Sequence, residues 1–118
     1  MRRTIIESPY AGNSRCCIIA FFQRLANRRY ARQCVRDSLS CGESSIASHL
    51  LYTQPGILRD EIPEELQQGI DAGLAWHGVA EASVVYVDRG ISPGMTFGIK
   101  AAAAAKIPVE YRTLKRKK

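Results

Sequence analysis

No stretch of this chain is apolar for long enough to cross a bilayer. The longest such run, residues 16–22, is about a third of the roughly 20 residues that a spanning helix needs, and nothing after it reads as a secretory cleavage site. Neither a membrane location nor secretion is expected. Metal-ligand spacing is also missing: the four cysteines, Cys16, Cys17, Cys34 and Cys41, form no CxxC and no Cys/His cluster. Adjacent Cys16 and Cys17 are poorly placed to bond each other, so reduced thiols in a cytoplasmic protein are expected, with no metal and no cofactor. A Gly-rich dinucleotide fingerprint is absent too, because only Gly12 follows the first strand where three spaced glycines would be needed. Basic residues are not interleaved with aromatics in any nucleic-acid-binding motif, which places nucleic acid behind small molecules as a partner.

What remains is a soluble globular composition: 118 residues, 46% hydrophobic and 24% charged. That length suits one domain, residues 1–114, followed by a basic C-terminal tail, residues 115–118. The net charge of +6 owes part of its excess to that tail, whose simplest reading is a solvated end.

The most informative stretch is residues 82–105. Residues 83–87 are a continuous β-branched and aromatic run, the pattern of a strand buried on both faces. It breaks at Asp88-Arg89-Gly90, passes through Ser92-Pro93-Gly94, and enters an Ala-rich helix from about Thr96. In open α/β sheets ligands sit beyond the carboxyl ends of strands, where loop amides and helix N-termini point at them. Asp88, Ser92, Gly94 and Met95 are therefore candidate ligand-binding residues, with a phosphate or ribose hydroxyl received by the amides of Gly94, Met95 and Thr96.

The same unit recurs at the N-terminus. Residues 4–6 open a short strand, and Glu7, Ser8, Tyr10 and Gly12 lie at its carboxyl end. A helical pattern follows over residues 14–39, with Ile18, Phe22 and Leu25 on one side, Tyr30, Cys34 and Val35 continuing it, and an interruption possible at 27–29. Arg15, Arg24, Arg28, Arg29, Arg32 and Arg36 crowd this helix, as a solvated face or as a phosphate-facing surface. Arg32 is carried forward as a ligand-binding candidate. After a turn at 41–44, residues 47–51 read as a second strand, with His49 and Tyr52 near its carboxyl end; a lone histidine is more often structural than catalytic.

Residues 60–80 give the clearest helix. Asp60 can cap it, Pro63 suits its first turn, and Glu61, Glu64 and Glu65 complement the dipole. Leu66, Ile70 and Leu74 form its expected buried stripe, and Gly69, Gly73 and His77 a neighbouring stripe that permits close packing. Trp76 is expected as a core or interface anchor. The Ala-rich helix ends at 106–108, and residues 109–114 alternate as a last strand. Strands alternating with helices imply an α/β fold: a three-layer α/β/α Rossmann-like sandwich with a mainly parallel sheet of about four strands.

The motifs ESPYAG (7–12), YAR (30–32), SHLLYTQ (48–54), GIDAGLAW (69–76) and DRGISPGM (88–95) resemble a family of small, mostly phage- and prophage-encoded proteins of uncharacterised function. Residues 14–25 are longer and more apolar than that pattern implies. More distantly, the layout is similar to the nucleoside 2-deoxyribosyltransferase-like group. Those proteins carry a Gly/Pro/Tyr loop after the first strand and an Asp-Ser-Gly-Thr-x-x-Glu segment whose glutamate attacks the anomeric carbon. Matching Gly94 to the glycine of that segment places Gly98 where the glutamate stands, and a glycine cannot be a nucleophile.

The resemblance thus implies a nucleotide- or nucleoside-binding protein, homo-oligomeric by analogy, that in a phage setting could sequester a nucleotide signal in the host cytoplasm. An alternative keeps an enzyme of N-glycosidic bond cleavage or base exchange, with Glu7 as nucleophile or acid/base and His49 or Tyr10 assisting. A third reading is a basic accessory protein that binds nucleic acid through residues 15–36 and the C-terminal lysines.

Overall fold

A computed structural model describes residues 1–12 and 15–115. Its sheet has four strands, β1 (Arg2–Glu7), β2 (Glu43–Ile46), β3 (Ala82–Tyr86) and β4 (Val109–Arg112), in the order β2-β1-β3-β4. All three pairings are parallel; Ile5, for example, stands beside both Ile46 and Ser83. Parallel neighbours need long crossovers, and helices supply them: α1 (Cys17–Ser40), α2 (Ser48–Leu51) with α3 (Pro63–Ala75), and α4 (Pro93–Ala104). From β1 the chain moves outward to β2, then returns past β1 to β3 and continues the other way. The order therefore reverses between β1 and β3, which is where open α/β sheets leave a crevice.

Side chains alternate across a strand, so each face of the sheet has its own partners. Ile6, Val84 and Tyr86 pack with Tyr30 and Cys34 of α1 in one fully buried cluster. Burying an Ile or Val side chain in this way stabilises the fold by roughly 2 kcal/mol. Glu7, one position on from Ile6, points to the other face, where it meets Gly98 of α4. Right-handed crossovers require this division, with α1 and α4 on opposite sides of the sheet. Met95, Gly98 and Ala102 are the buried residues of α4, and two of the three are small enough to bring its backbone close to the strands.

Buried polar groups tie the edges. Glu43 is 5% exposed and receives Arg112 through two parallel bonds, Nη1 to Oε1 at 2.9 Å and Nη2 to Oε2 at 3.0 Å. Arg2 and Ser38 also donate to it. The Arg112 guanidinium holds the Glu43 carboxyl down to about 2, so this contribution is present above its ordinary value of 4.5 and is lost as pH falls towards 2. Tyr30 Oη donates to Asp88 Oδ1 at 2.6 Å, and Asp88 also accepts the Leu114 amide at 2.9 Å.

Several expectations need correction. Residues 47–51 are not a strand: β2 is the polar stretch Glu43–Ile46, and Ser48–Leu51 is helical. Register with Arg2–Ile5 ends β2 at Ile46, and the buried Glu43 is tolerated because two arginines neutralise it, so hydrophobic patterning could not locate this edge strand. α1 runs unbroken through 27–29, and its buried side is Ala20, Asn27, Tyr30, Ala31, Cys34 and Ser38. Ile18, Phe22 and Leu25 are 67%, 62% and 41% exposed. A helix of 24 residues is about 36 Å long, against roughly 20 Å for the 6 residues of β1, so one end overhangs the sheet.

α3 starts at Pro63 with Ile62 as its cap, because the Asp60 carboxylate is engaged by the Tyr10 hydroxyl instead. It ends at Ala75 and closes in a 3₁₀ turn, Trp76–Gly78. None of its residues is buried; Leu66 and Ile70 are 44% and 40% exposed, since this stripe faces an open cleft and not the sheet. The close approach at Gly73 is present: a Cβ there would lie 2.6 Å from Ser48 Oγ. Trp76 is 41% exposed, with its indole N–H donating to Tyr52 Oη at 3.0 Å. α4 begins at Pro93, three residues before Thr96, because Ser92 caps it, and β4 stops at Arg112. The helix start expected at Ser14 and three residues of the basic tail, 116–118, lie outside the described residues. No described helix is long and apolar enough to cross a membrane.

Candidate functional site

A cleft of about 860 Å³ opens at the carboxyl ends of β1 and β3, where the strand order reverses. One wall is the loop after β1, from Glu7 to Gly12; α2 and α3 form a second, and the loop from Arg89 into α4 a third. The Gly12 backbone lies directly on α1: a Cβ there would sit 2.7 Å from the Ala20 carbonyl oxygen. Asn27 fastens the same loop by donating from Nδ2 to the Tyr10 carbonyl at 3.2 Å, while its Oδ1 accepts Arg89 Nε at 3.1 Å. One buried amide on α1 thus joins the loops that follow β1 and β3.

Glu7 supplies the least ordinary group in the cleft. Its carboxyl is seated against Gly98, so close that a Cβ on residue 98 would fall 2.2 Å from Oε2 and 2.6 Å from Cδ. The space that a side chain on α4 would take is filled by this carboxyl from β1. Burial raises it from an ordinary 4.5 to about 7, which leaves it part protonated at neutral pH. A carboxyl in that condition can donate or accept a proton, as a general acid or base must.

Beside it, Ser8 Oγ and His49 Nε2 are 2.7 Å apart. Burial lowers His49 from 6.5 to about 4, so its ring is neutral at neutral pH. Ser8 is 4% exposed, which suits a positioning role for its hydroxyl better than attack on a ligand. The Tyr10 ring stands edge-on to His49, with centroids 6.5 Å apart at 75°. Tyr10 ends on Asp60, and burial followed by that carboxylate raises its hydroxyl above 10.0.

The start of α4 differs from the expectation of a phosphate site. Ser92 Oγ accepts the Met95 amide at 3.2 Å, the Thr96 amide is bonded to the Ser92 carbonyl at 3.0 Å, and Pro93 has no N–H. The helix satisfies its own first turn, so of the amides proposed from sequence only that of Gly94 is left for a ligand. Ser92→Ala should lower stability by about 1 kcal/mol, read as a shift in the urea midpoint with unchanged slope.

Of the candidates chosen from sequence, Glu7, Ser8, Tyr10, Gly12, His49, Tyr52, Ser92, Gly94 and Met95 all line this cleft. Arg32 and Asp88 do not. Arg32 is exposed on α1, and Asp88 is held by Tyr30 and Leu114. Sequence reasoning passed over Asn27, Asp60, His77 and Phe97 as lining residues. The Gly69, Gly73 and His77 spacing did place His77 in the close-packing stripe, but only the fold turns that stripe towards the cleft.

Among the described residues, no group of three or more His, Cys, Asp or Glu is arranged to hold a metal ion. The parallel sheet with its switch-point crevice makes the chain a Rossmann-like α/β domain. Over residues 2–112 it matches the family described as a domain of unknown function (DUF7768), and it belongs to that family. No curated protein matches it.

Proposed function

We propose that the cleft binds a nucleoside or nucleotide. The observation that carries this reading is its position and lining: about 860 Å³ at the β1/β3 switch point, with the polar groups Glu7, Ser8, His49 and Ser92 among the rings of Tyr10, Tyr52 and Phe97. Rings of that kind suit a flat base, and the polar set suits a sugar. The similarity of the layout to the deoxyribosyltransferase-like group supports the same ligand class, and sequestration of a nucleotide signal is the role that fits a binder in a phage. A thermal-shift screen with nucleosides, nucleotides, NAD derivatives and cyclic nucleotides should return at least one stabilising ligand. Its loss in Glu7→Ala would locate it, and a screen without any shift would end the proposal.

A second reading, cleavage or exchange of an N-glycosidic bond, is favoured by the seating of Glu7 against Gly98. The Glu7 carboxylate would attack the anomeric carbon as the bond to the base breaks and its electron pair leaves with the base. Water or a second base would then displace the carboxylate. Because this carboxyl titrates at about 7, a nucleophile's rate should rise with pH through that value and a general acid's should fall. Product formation from nucleosides that survives unchanged in Glu7→Gln would remove this reading.

A further inference from the structure

The outer face of α1 takes no part in the cleft. Exposed residues recur along it at alternating spacings of four and three: Ile18, Phe22, Leu25, Arg29, Arg32 and Arg36. At 3.6 residues a turn that spacing is a single stripe, and the buried residues of the helix, from Ala20 to Ser38, lie on the opposite side towards the sheet. Before Asn27 only Ala20 is buried, so the first half of the stripe stands clear of the core. Ile19 and Phe21 flank it and are exposed as well. These five apolar side chains leave on the order of 500 Å² in water, near the upper end of the largest patch on an ordinary monomer, and patches of that size mark contact surfaces.

The second half of the stripe fixes the charge of the occupant. Arg29, Arg32 and Arg36 are exposed, and no ion pair among the described residues engages them. Asp37, the one acidic residue of α1, accepts the Tyr86 hydroxyl at 2.7 Å. The face is apolar at one end and cationic at the other, with no acid of its own free to compensate, so it suits an occupant that offers apolar depth beside fixed negative charge. A second copy does not supply this. Two such stripes set arginine against arginine when parallel and against apolar side chains when antiparallel, and a pairing confined to residues 18–25 leaves the arginines unmatched. Nucleic acid supplies the charge but nothing for Ile18, Ile19 and Leu25 to enter.

We propose that the outer face of α1 is a peripheral docking surface for an anionic bilayer, with Ile18, Phe22 and Leu25 entering the headgroup boundary and Arg29, Arg32 and Arg36 resting on lipid phosphates and carboxylates. A contact of this kind needs no spanning segment, and no described helix could provide one. It goes beyond the ligand reading and does not depend on it.

Co-sedimentation of the full chain with vesicles tests it, with phosphatidylcholine alone and with phosphatidylcholine mixed with phosphatidylserine. Binding to the anionic vesicles should be at least tenfold tighter and should weaken as salt is raised. Arg29→Gln/Arg32→Gln/Arg36→Gln should lose tenfold or more on the anionic vesicles, and so should Phe22→Ser, with thermal unfolding of both near wild type because these side chains are exposed. Phe22→Trp should shift its emission to the blue on anionic vesicles while the wild-type chain, with Trp76 alone, does not; this reads insertion even where the other variants fail to fold. No binding, equal affinity for the two vesicle types, full binding by either folded variant, or an unshifted Phe22→Trp would overturn the inference. Self-association that Phe22→Ser dissolves, in a chain that leaves vesicles unbound, would overturn it in favour of a second copy. An oligonucleotide held by the same arginines while vesicles stay unbound would overturn it in favour of nucleic acid.

Discussion

Glu7→Gln is expected to be more stable than the wild-type protein at pH 8, by about 2 kcal/mol, and equal to it near pH 4.5. Burial raises the Glu7 carboxyl from 4.5 to about 7, which means the folded state binds its proton more tightly than the unfolded chain does. Below 4.5 the group is protonated in both states and costs nothing. Between 4.5 and 7 the unfolded chain ionises while the folded protein resists, so stability falls as pH rises, and above 7 the full cost of a buried charge remains. At 1.36 kcal/mol per pKa unit that cost approaches about 3 kcal/mol, and partial access to solvent reduces it to on the order of 2. The amide of Gln has the same shape and no charge, so it avoids the loss. Urea unfolding of both proteins from pH 4.5 to 8.5 measures the difference. A gap that does not widen with pH would show that Glu7 is not a buried acid. A residue that lowers stability at physiological pH is the kind that a site retains for its chemistry.

Gly98→Ala is expected to evict the Glu7 carboxyl from its seat. The added Cβ would fall 2.2, 2.6 and 2.7 Å from Oε2, Cδ and Oε1 of Glu7, and the end of a flexible side chain moves more readily than a helix backbone. Pushed into the water of the cleft, the carboxyl loses the burial that raised it, and its titration should drop from about 7 towards 4.5, as followed by ¹³C shifts of the carboxyl carbon. Stability should respond with a change of sign. Near pH 4.5 the displaced packing costs roughly 1–2 kcal/mol. At pH 8 relief of the buried charge, together with about 1 kcal/mol from replacing glycine inside a helix, should make the variant at least as stable as wild type. Ligand binding should fall at both pH values. In Glu7→Ala/Gly98→Ala the clash is gone, so the second substitution should be stabilising, and a double-mutant cycle isolates the coupling. A Glu7 carboxyl that still titrates near 7 in Gly98→Ala would contradict the seating described above.

Much of the architecture was legible in residue order. β3 is an unbroken β-branched and aromatic run because it lies second from one edge with helices over both faces, and burial on both sides leaves no polar alternation to obscure it. The loop after β1 was legible for a related reason: Glu7, Ser8, Tyr10 and Gly12 interrupt an apolar strand in a way that no core requires. β2 was missed because Glu43 and Ser44 read as the end of a turn until Arg112, 69 positions away, is brought to Glu43. α1 was misread on its first turns, since apolar residues normally mark a buried side, whereas here the helix outruns the sheet.

Local sequence by itself determined the alternation of strands and helices, the parallel sheet that follows from it, and the two polar strand ends that became walls of the cleft. These depend on periodicity and turn chemistry within a few residues, which no distant contact has to supply. Tertiary structure alone decided that Glu7 fills the space left by Gly98, and that Asn27 of α1 joins the loops that follow β1 and β3. Each of those depends on groups from separate elements meeting at short range, and burial, the quantity that changes their chemistry, exists only once the chain has folded around them.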